Sequence, residues 1–150
     1  LMITVVFDVI VAWALYELFK KHPLSFLSTL FRMMHASIMG VAIFALPAVL
    51  NLNSNEEIIR QIDIFNTTWL LGLFFFGIHI IILGIIINKP RIIMFFLILA
   101  GTMYMVDTAA HFTLSTYEEY ASILLVLVLI PSILGEMSLA IWLLVKGGKQ

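Results

Sequence analysis

The chain has 150 residues, 63% of them hydrophobic and 11% charged, with a formal net charge of −1. Soluble domains are roughly 45–50% apolar and about 25% charged, so a water-soluble globule of this size could not hide its apolar surface. The mean hydropathy of +1.13 makes lipid the bulk solvent. The charge balance offers no basic field for nucleic acid, and the lack of Cys excludes disulfides, thiol nucleophiles and cysteine-ligated metals.

A helix needs about 20 apolar residues to cross the hydrocarbon. Five segments meet that length, at about 1–19, 24–50, 64–88, 92–113 and 120–146. The fold expected is all-α: one polytopic transmembrane bundle over residues 1–150, its short loops making neighbouring spans antiparallel. The first span begins at Leu1, not Met, already inside an apolar run, and an N-terminal part with a further span is expected before it. Thr4, Asp8, Ala12 and Tyr16 recur along it every four residues. After the KKHP turn, the second span carries Ser25, Ser28, Arg32, His35 and Met39 at spacings of three or four. Pro47 near its end and Pro131 in the fifth span should bend their helices, whereas Pro23 and Pro90 suit turns or first helical positions.

Ile58, Ile59 and Ile62 fall at helical spacing in the polar stretch 51–63, which could hold a short interfacial helix. In the third span Gly72, Gly77 and Gly84 read as packing notches around His79. The fourth presents Gly101, Tyr104, Thr108 and His111 on one face, with Asp107 at its edge. The fifth aligns Ser132, Glu136 and Ala140. Trp13, Trp69 and Trp142, with Tyr16, Tyr117 and Tyr120, fall mostly near span ends and read as interfacial anchors.

Alternating spans put Lys20, Lys21, Lys89, Arg91, Lys146 and Lys149 on one side, and Arg60 with Glu56, Glu57, Asp63, Glu118 and Glu119 on the other. The excess of Lys and Arg marks the cytoplasmic side, so Leu1 starts near the outer face and Gln150 ends in the cytoplasm.

A charge at the bilayer centre costs about 2.5–3.5 kcal/mol on insertion scales, so buried charges should turn inward and find partners. Arg32 lies 11 residues from Lys21, His79 lies 10 from Lys89, and Glu136 lies 10 from Lys146. At 1.5 Å per residue all three sit roughly 15 Å deep, near the midplane. An intramembrane polar cluster of Arg32, His79 and Glu136 is expected, with a two-bond pair between Arg32 and Glu136. Such a pair could serve only to fix helix register, or it could handle a ligand or proton. Asp8, His35, Asp107 and His111 are the further candidate ligand or proton contacts. Asp107 and His111, four apart and within reach of Asp8, could share a proton; without a third ligand at a recognised spacing they do not define a metal site. His35 and His79 raise a haem alternative, offset by four residues in depth. The chain has no P-loop, GxSxG or HExxH pattern, so no catalytic residue is assigned and the reading leans away from an enzyme.

The runs FDVIVAWALYELFK, LFRMMHASIMGV, FNTTWLLGLFFFGIHIIILGIII, LAGTMYMVDTAAHF and PSILGEMSLAIWLLVKG, in that order, resemble the bacterial domain of unknown function 4386 family. The matching positions are Asp8, Arg32, Asn66, Trp69, Gly77, His79, Asp107, Gly135 and Glu136. The resemblance implies a multispanning protein of the bacterial cytoplasmic (inner) membrane and transfers no mechanism, and the cofactor stays unknown.

The first functional expectation is a structural or accessory component of the membrane, in contact with the lipid bilayer, as a homo-oligomer or within a larger membrane complex. The alternative is a protein that binds or transports a small molecule or proton through its polar cluster. A haem or quinone redox subunit is the third. A water-accessible cavity reaching the cluster would favour the second, and a dry interior would argue against it.

Overall fold

The computed structural model describes residues 2–50, 52 and 54–146; Leu1, Lys149 and Gln150, used in the charge-based orientation, lie outside them. The helices are α1 (Met2–Phe19), α2 (Ser25–Val49), α3 (Asn55–Ile87), α4 (Arg91–Thr113), α5 (Tyr117–Ser132) and α6 (Ser138–Lys146). A π-helical turn, Ile133–Met137, joins α5 to α6, so Tyr117–Lys146 runs as one span. Each of the five spans is long and apolar enough to cross a membrane. Helices suit this solvent because they satisfy every interior backbone group within the segment. Phe44, Leu125, Ile130 and Ile141 point outward, a disposition that costs nothing in lipid and would be a liability in water.

The short connections make successive helices pack as antiparallel neighbours: α1 on α2, α2 on α3, α3 on α4, and α4 on α5 and the π turn. The spans form an arc, with α1 at one end and α6 at the other. The exposed residues Lys20, Lys21, Lys89, Arg91 and Lys146 all lie at helix termini or turns, at one end of the bundle along the helix axes.

One boundary differs from the sequence reading. Residues 55–63 form no separate interfacial helix but extend α3 continuously, giving it 33 residues. Neither Gly nor Pro interrupts 55–71, and Glu56 and Glu57 sit in the first turn, where the helix dipole favours negative charge. At the other end Asn88 closes α3 with φ 51°, a region asparagine tolerates better than most residues, while its N–H donates to the Gly84 carbonyl at 3.1 Å.

The core sits between α3 and α4, where Ile80, Leu83, Leu97 and Ala100 are buried. Lipid offers no hydrophobic force between helices, so close backbone approach must supply the attraction. Gly77 and Gly101 permit it: a Cβ on Gly77 would lie 2.6 Å from the Gly101 carbonyl oxygen, and one on Gly101 would run into the Gly77 carbonyl. Gly135 repeats the device, since its Cβ would stand 3.0 Å from the Phe96 carbonyl carbon on α4.

The two interior prolines act differently. Pro47 lies in the last turn of α2 and removes little. Pro131, inside α5, lacks the N–H that a helix interior needs, and the π turn follows directly. Glu136 is carried on that turn.

Candidate functional site

Arg32 organises the site. Its Nη2 donates to Asp8 Oδ1 at 2.6 Å, an ion pair with 14% and 21% of the two side chains exposed. Its Nε donates to the Asp8 backbone carbonyl at 3.4 Å. Its Nη1 lies 3.3 Å from His79 Nε2, and its Cζ stands 5.4 Å from the centroid of Phe76. One side chain thus binds α1 to α2 and α2 to α3.

The donor rules fix the His79 tautomer. Guanidinium only donates, so His79 Nε2 must accept. Nδ1 faces the Ser28 carbonyl, which only accepts, at 2.9 Å, and so carries the proton. The Ser28 hydroxyl lies at the same Nδ1, also at 2.9 Å. His79 is 1% exposed and both ring nitrogens are engaged, so it offers iron no free lone pair. The bis-histidine haem alternative therefore fails on geometry: Nε2 of His79 is committed to Arg32.

His35 is disposed differently. Its Nδ1 donates to the Gly72 carbonyl at 3.0 Å, which turns Nε2 towards Asp8 Oδ2 at 3.6 Å. Oδ1 of Asp8 is already held by Arg32. A proton between Nε2 and Oδ2 would complete the arrangement.

The expected Arg32–Glu136 pair does not form. The guanidinium goes to Asp8 instead, and among the described residues no basic side chain makes an ion pair with Glu136. Glu136 accepts from the Tyr104 hydroxyl at 3.2 Å. Arg32 touches His79, and Arg32 and Glu136 stand in the walls of the same two cavities.

Those cavities follow one another along the helix axes. The larger, about 360 Å³, is lined by Thr4, Asp8, His35, Trp69 and Leu73 and lies towards the acidic end of the bundle. The smaller, about 160 Å³, is lined by Val11, Leu15, His79, Leu83 and Leu143 and lies towards the lysine end. Arg32, Phe76 and Glu136 belong to both, so these three side chains form the septum between them. Phe76 is itself fixed by rings on three sides, with centroids of His35 at 4.8 Å, Tyr104 at 5.7 Å and His79 at 5.9 Å. Trp69, read from sequence as an interfacial anchor, is a cavity wall and packs on Phe65 at 5.4 Å.

Asp107 and His111 do not join this site, and Asp8 does not approach them. Asp107 is 9% exposed and accepts from the Tyr117 hydroxyl at 3.0 Å. His111 Nε2 lies 3.4 Å from the Thr67 hydroxyl, and its ring stacks edge-on to Tyr117 at 4.8 Å. They form a separate polar latch joining α3, α4 and the start of α5. Among the described residues no group of three His, Asp or Glu is placed to hold a metal ion.

Sequence reasoning missed Phe76 and the Asp8–Arg32 pair. Phe76 carried a signal, since it lies three residues before His79 and so shares its face. Asp8 lies 12 residues from Lys20 and Arg32 lies 11 from Lys21, so the two differ in depth by about one residue's rise.

An "Uncharacterized protein" of Archaeoglobus fulgidus is 29% identical to this chain over 151 residues, covering 97% of the chain and 80% of that relative. No solved structure matches. The family described as "Domain of unknown function (DUF4386)" matches residues 1–147, and the chain belongs to that family.

Proposed function

We propose that the protein binds, and passes across the membrane, a small molecule or proton at the polar septum between its two cavities. The carrying observation is the 360 Å³ cavity that reaches Asp8, Arg32, His35 and Glu136. That volume falls within the range of small-ligand pockets. A bundle built only for packing would seal these groups. Here they are left facing space on both sides of one thin partition. Discontinuous or bulged helices carrying binding residues near the midplane are a feature of transporters, and the π turn bearing Glu136 fits that pattern.

The reading includes placement and surroundings. The chain sits in the bilayer of a bacterial cytoplasmic membrane with its lysine-bearing end and C-terminus inside, by the bias of Lys20, Lys21, Lys89, Arg91 and Lys146. The cavities lie between the two ends of the helical arc, so a second copy or another subunit of a membrane complex seated there would close them laterally.

A specific observation favours the structural alternative: Arg32 ties three helices together through Asp8 and His79. Thiol accessibility in intact cells separates the two readings, and the chain contains no native Cys to interfere. Leu73→Cys, in the larger cavity, should react with a membrane-impermeant methanethiosulfonate reagent added outside. Leu97→Cys, at a position 0% exposed, should not react. Lys20→Cys should react only after permeabilisation. An inert Leu73→Cys would mean a dry interior and would leave the structural reading standing.

A further inference from the structure

Counting charge around the larger cavity leaves an imbalance. Its walls hold two carboxylates, Asp8 and Glu136, and one guanidinium, Arg32. The guanidinium is committed to Asp8 at 2.6 Å, with its other Nη turned to His79. Glu136 is left with a neutral partner, the Tyr104 hydroxyl. A carboxylate inside a span without a cationic partner is costly, and such residues mark ion or substrate pathways. The rest of the larger cavity's wall is mainly apolar and aromatic: Met39, Trp69, Leu73 and Phe76.

We infer that the Glu136 carboxylate receives the positive head of a small organic ammonium ion, whose apolar body lies along Trp69, Leu73 and Phe76. This deepens the ligand-binding reading above, on which it rests, by naming the ligand class. The chemistry excludes the opposite sign. An anion would meet two carboxylates, and the one guanidinium has already turned donors to Asp8 and His79. A neutral molecule would leave Glu136 unmatched. An ammonium ion matches it, and the apolar wall of Trp69, Leu73 and Phe76 suits the body that carries it. Ammonium and proton compete for one carboxylate, so binding of the cation at low pH displaces a proton. The other titratable or charged groups around the septum are Asp8 on α1, Arg32 and His35 on α2, His79 on α3 and Tyr104 on α4.

The test uses the protein in lipid nanodiscs and three probes of matched shape: benzylammonium, benzyl alcohol and benzoate. Calorimetric titration, with empty nanodiscs subtracted, should give saturable benzylammonium binding about tenfold or more tighter than the alcohol, and none for benzoate. Glu136→Gln, checked for folding by gel filtration and circular dichroism, should weaken benzylammonium about tenfold or more, and Glu57→Gln, on the exposed start of α3, should leave it unchanged. If Glu136→Gln does not fold, the wild-type pH profile decides: benzylammonium affinity should fall as the pH is lowered while benzyl alcohol affinity stays flat, and parallel profiles overturn the inference. Preference for the alcohol or benzoate, or full binding by a folded Glu136→Gln, overturns the cation class while leaving the cavity reading intact. Binding of none of the three overturns both.

Discussion

The α3–α4 seam and the α1–α2–α3 cleft solve the problem of helix association in lipid by opposite means. At the seam the close approach is made by backbone, and the polar links, Thr108 Oγ1 to the Leu70 carbonyl at 2.9 Å and His111 beside Thr67, lie towards one end of it. Gly77 and Gly101 bring two backbones together, and Leu97 and Ala100 beside them are fully buried. At the cleft α1, α2 and α3 pack as successive neighbours while Arg32 reaches across to Asp8 and His79, and two cavities remain between these helices and the span that carries Glu136. Contact by glycine tolerates no added atom. Contact by long polar side chains leaves room for a guest. The seam is therefore a fixed wall, and the cleft is where this molecule can do something.

The largest effect that would sharpen this contrast is expected from Arg32→Met. It strands Asp8 without a cation, and breaking one side of a buried ion pair costs about 3–5 kcal/mol in soluble proteins. Unfolding by denaturant in detergent should show a drop of that order. A change under about 1 kcal/mol would mean the cleft is not held by this pair.

The seam is tested next. Gly101→Ala drives a Cβ into the Gly77 carbonyl and Ile81, and overpacking of this kind costs about 1–3 kcal/mol. Gly40→Ala is the control, because a Cβ there meets nothing within 4 Å. It should leave stability unchanged or slightly raised, since Ala favours a helix over Gly by about 0.5–1 kcal/mol. Equal losses at the two positions would remove the distinction between a close-packed wall and an open face.

The smallest effect is expected at Glu136. Glu136→Gln keeps an acceptor for the Tyr104 hydroxyl and breaks no ion pair, so stability should change by less than about 1 kcal/mol. A large loss would restore the Arg32–Glu136 pair that the charges alone suggest.

The sequence made the spans legible for a simple reason: length and hydropathy are properties of each segment alone. The stripe on α2 was legible too, and Ser25, Ser28, His35 and Met39 are buried as their spacing requires. Depth counting brought Arg32, His79 and Glu136 to one level without any knowledge of neighbours. It could not say which carboxylate Arg32 takes, because Asp8 sits at nearly the same level and on the nearer helix. A loop of five residues, 20–24, makes α1 the obligatory neighbour of α2, and that adjacency outweighs matching depth on a distant span. The extension of α3 was obscured by polarity. Glu56, Glu57, Arg60 and Asp63 read as a loop, yet polar residues continue a helix into water without cost when no Gly or Pro stops it. The cavities were not legible at all, since a void depends on how α1, α2, α3 and the span carrying Glu136 are spaced.

The central claim is that Arg32 belongs to Asp8 and leaves Glu136 available. Two double-mutant cycles measured by chemical unfolding test it most directly, Arg32→Gln with Asp8→Asn and Arg32→Gln with Glu136→Gln. The expected coupling is about 1–3 kcal/mol in the first cycle and clearly smaller in the second, where Arg32 and Glu136 share cavity walls without an ion pair. Strong coupling to Glu136 with none to Asp8 would contradict it.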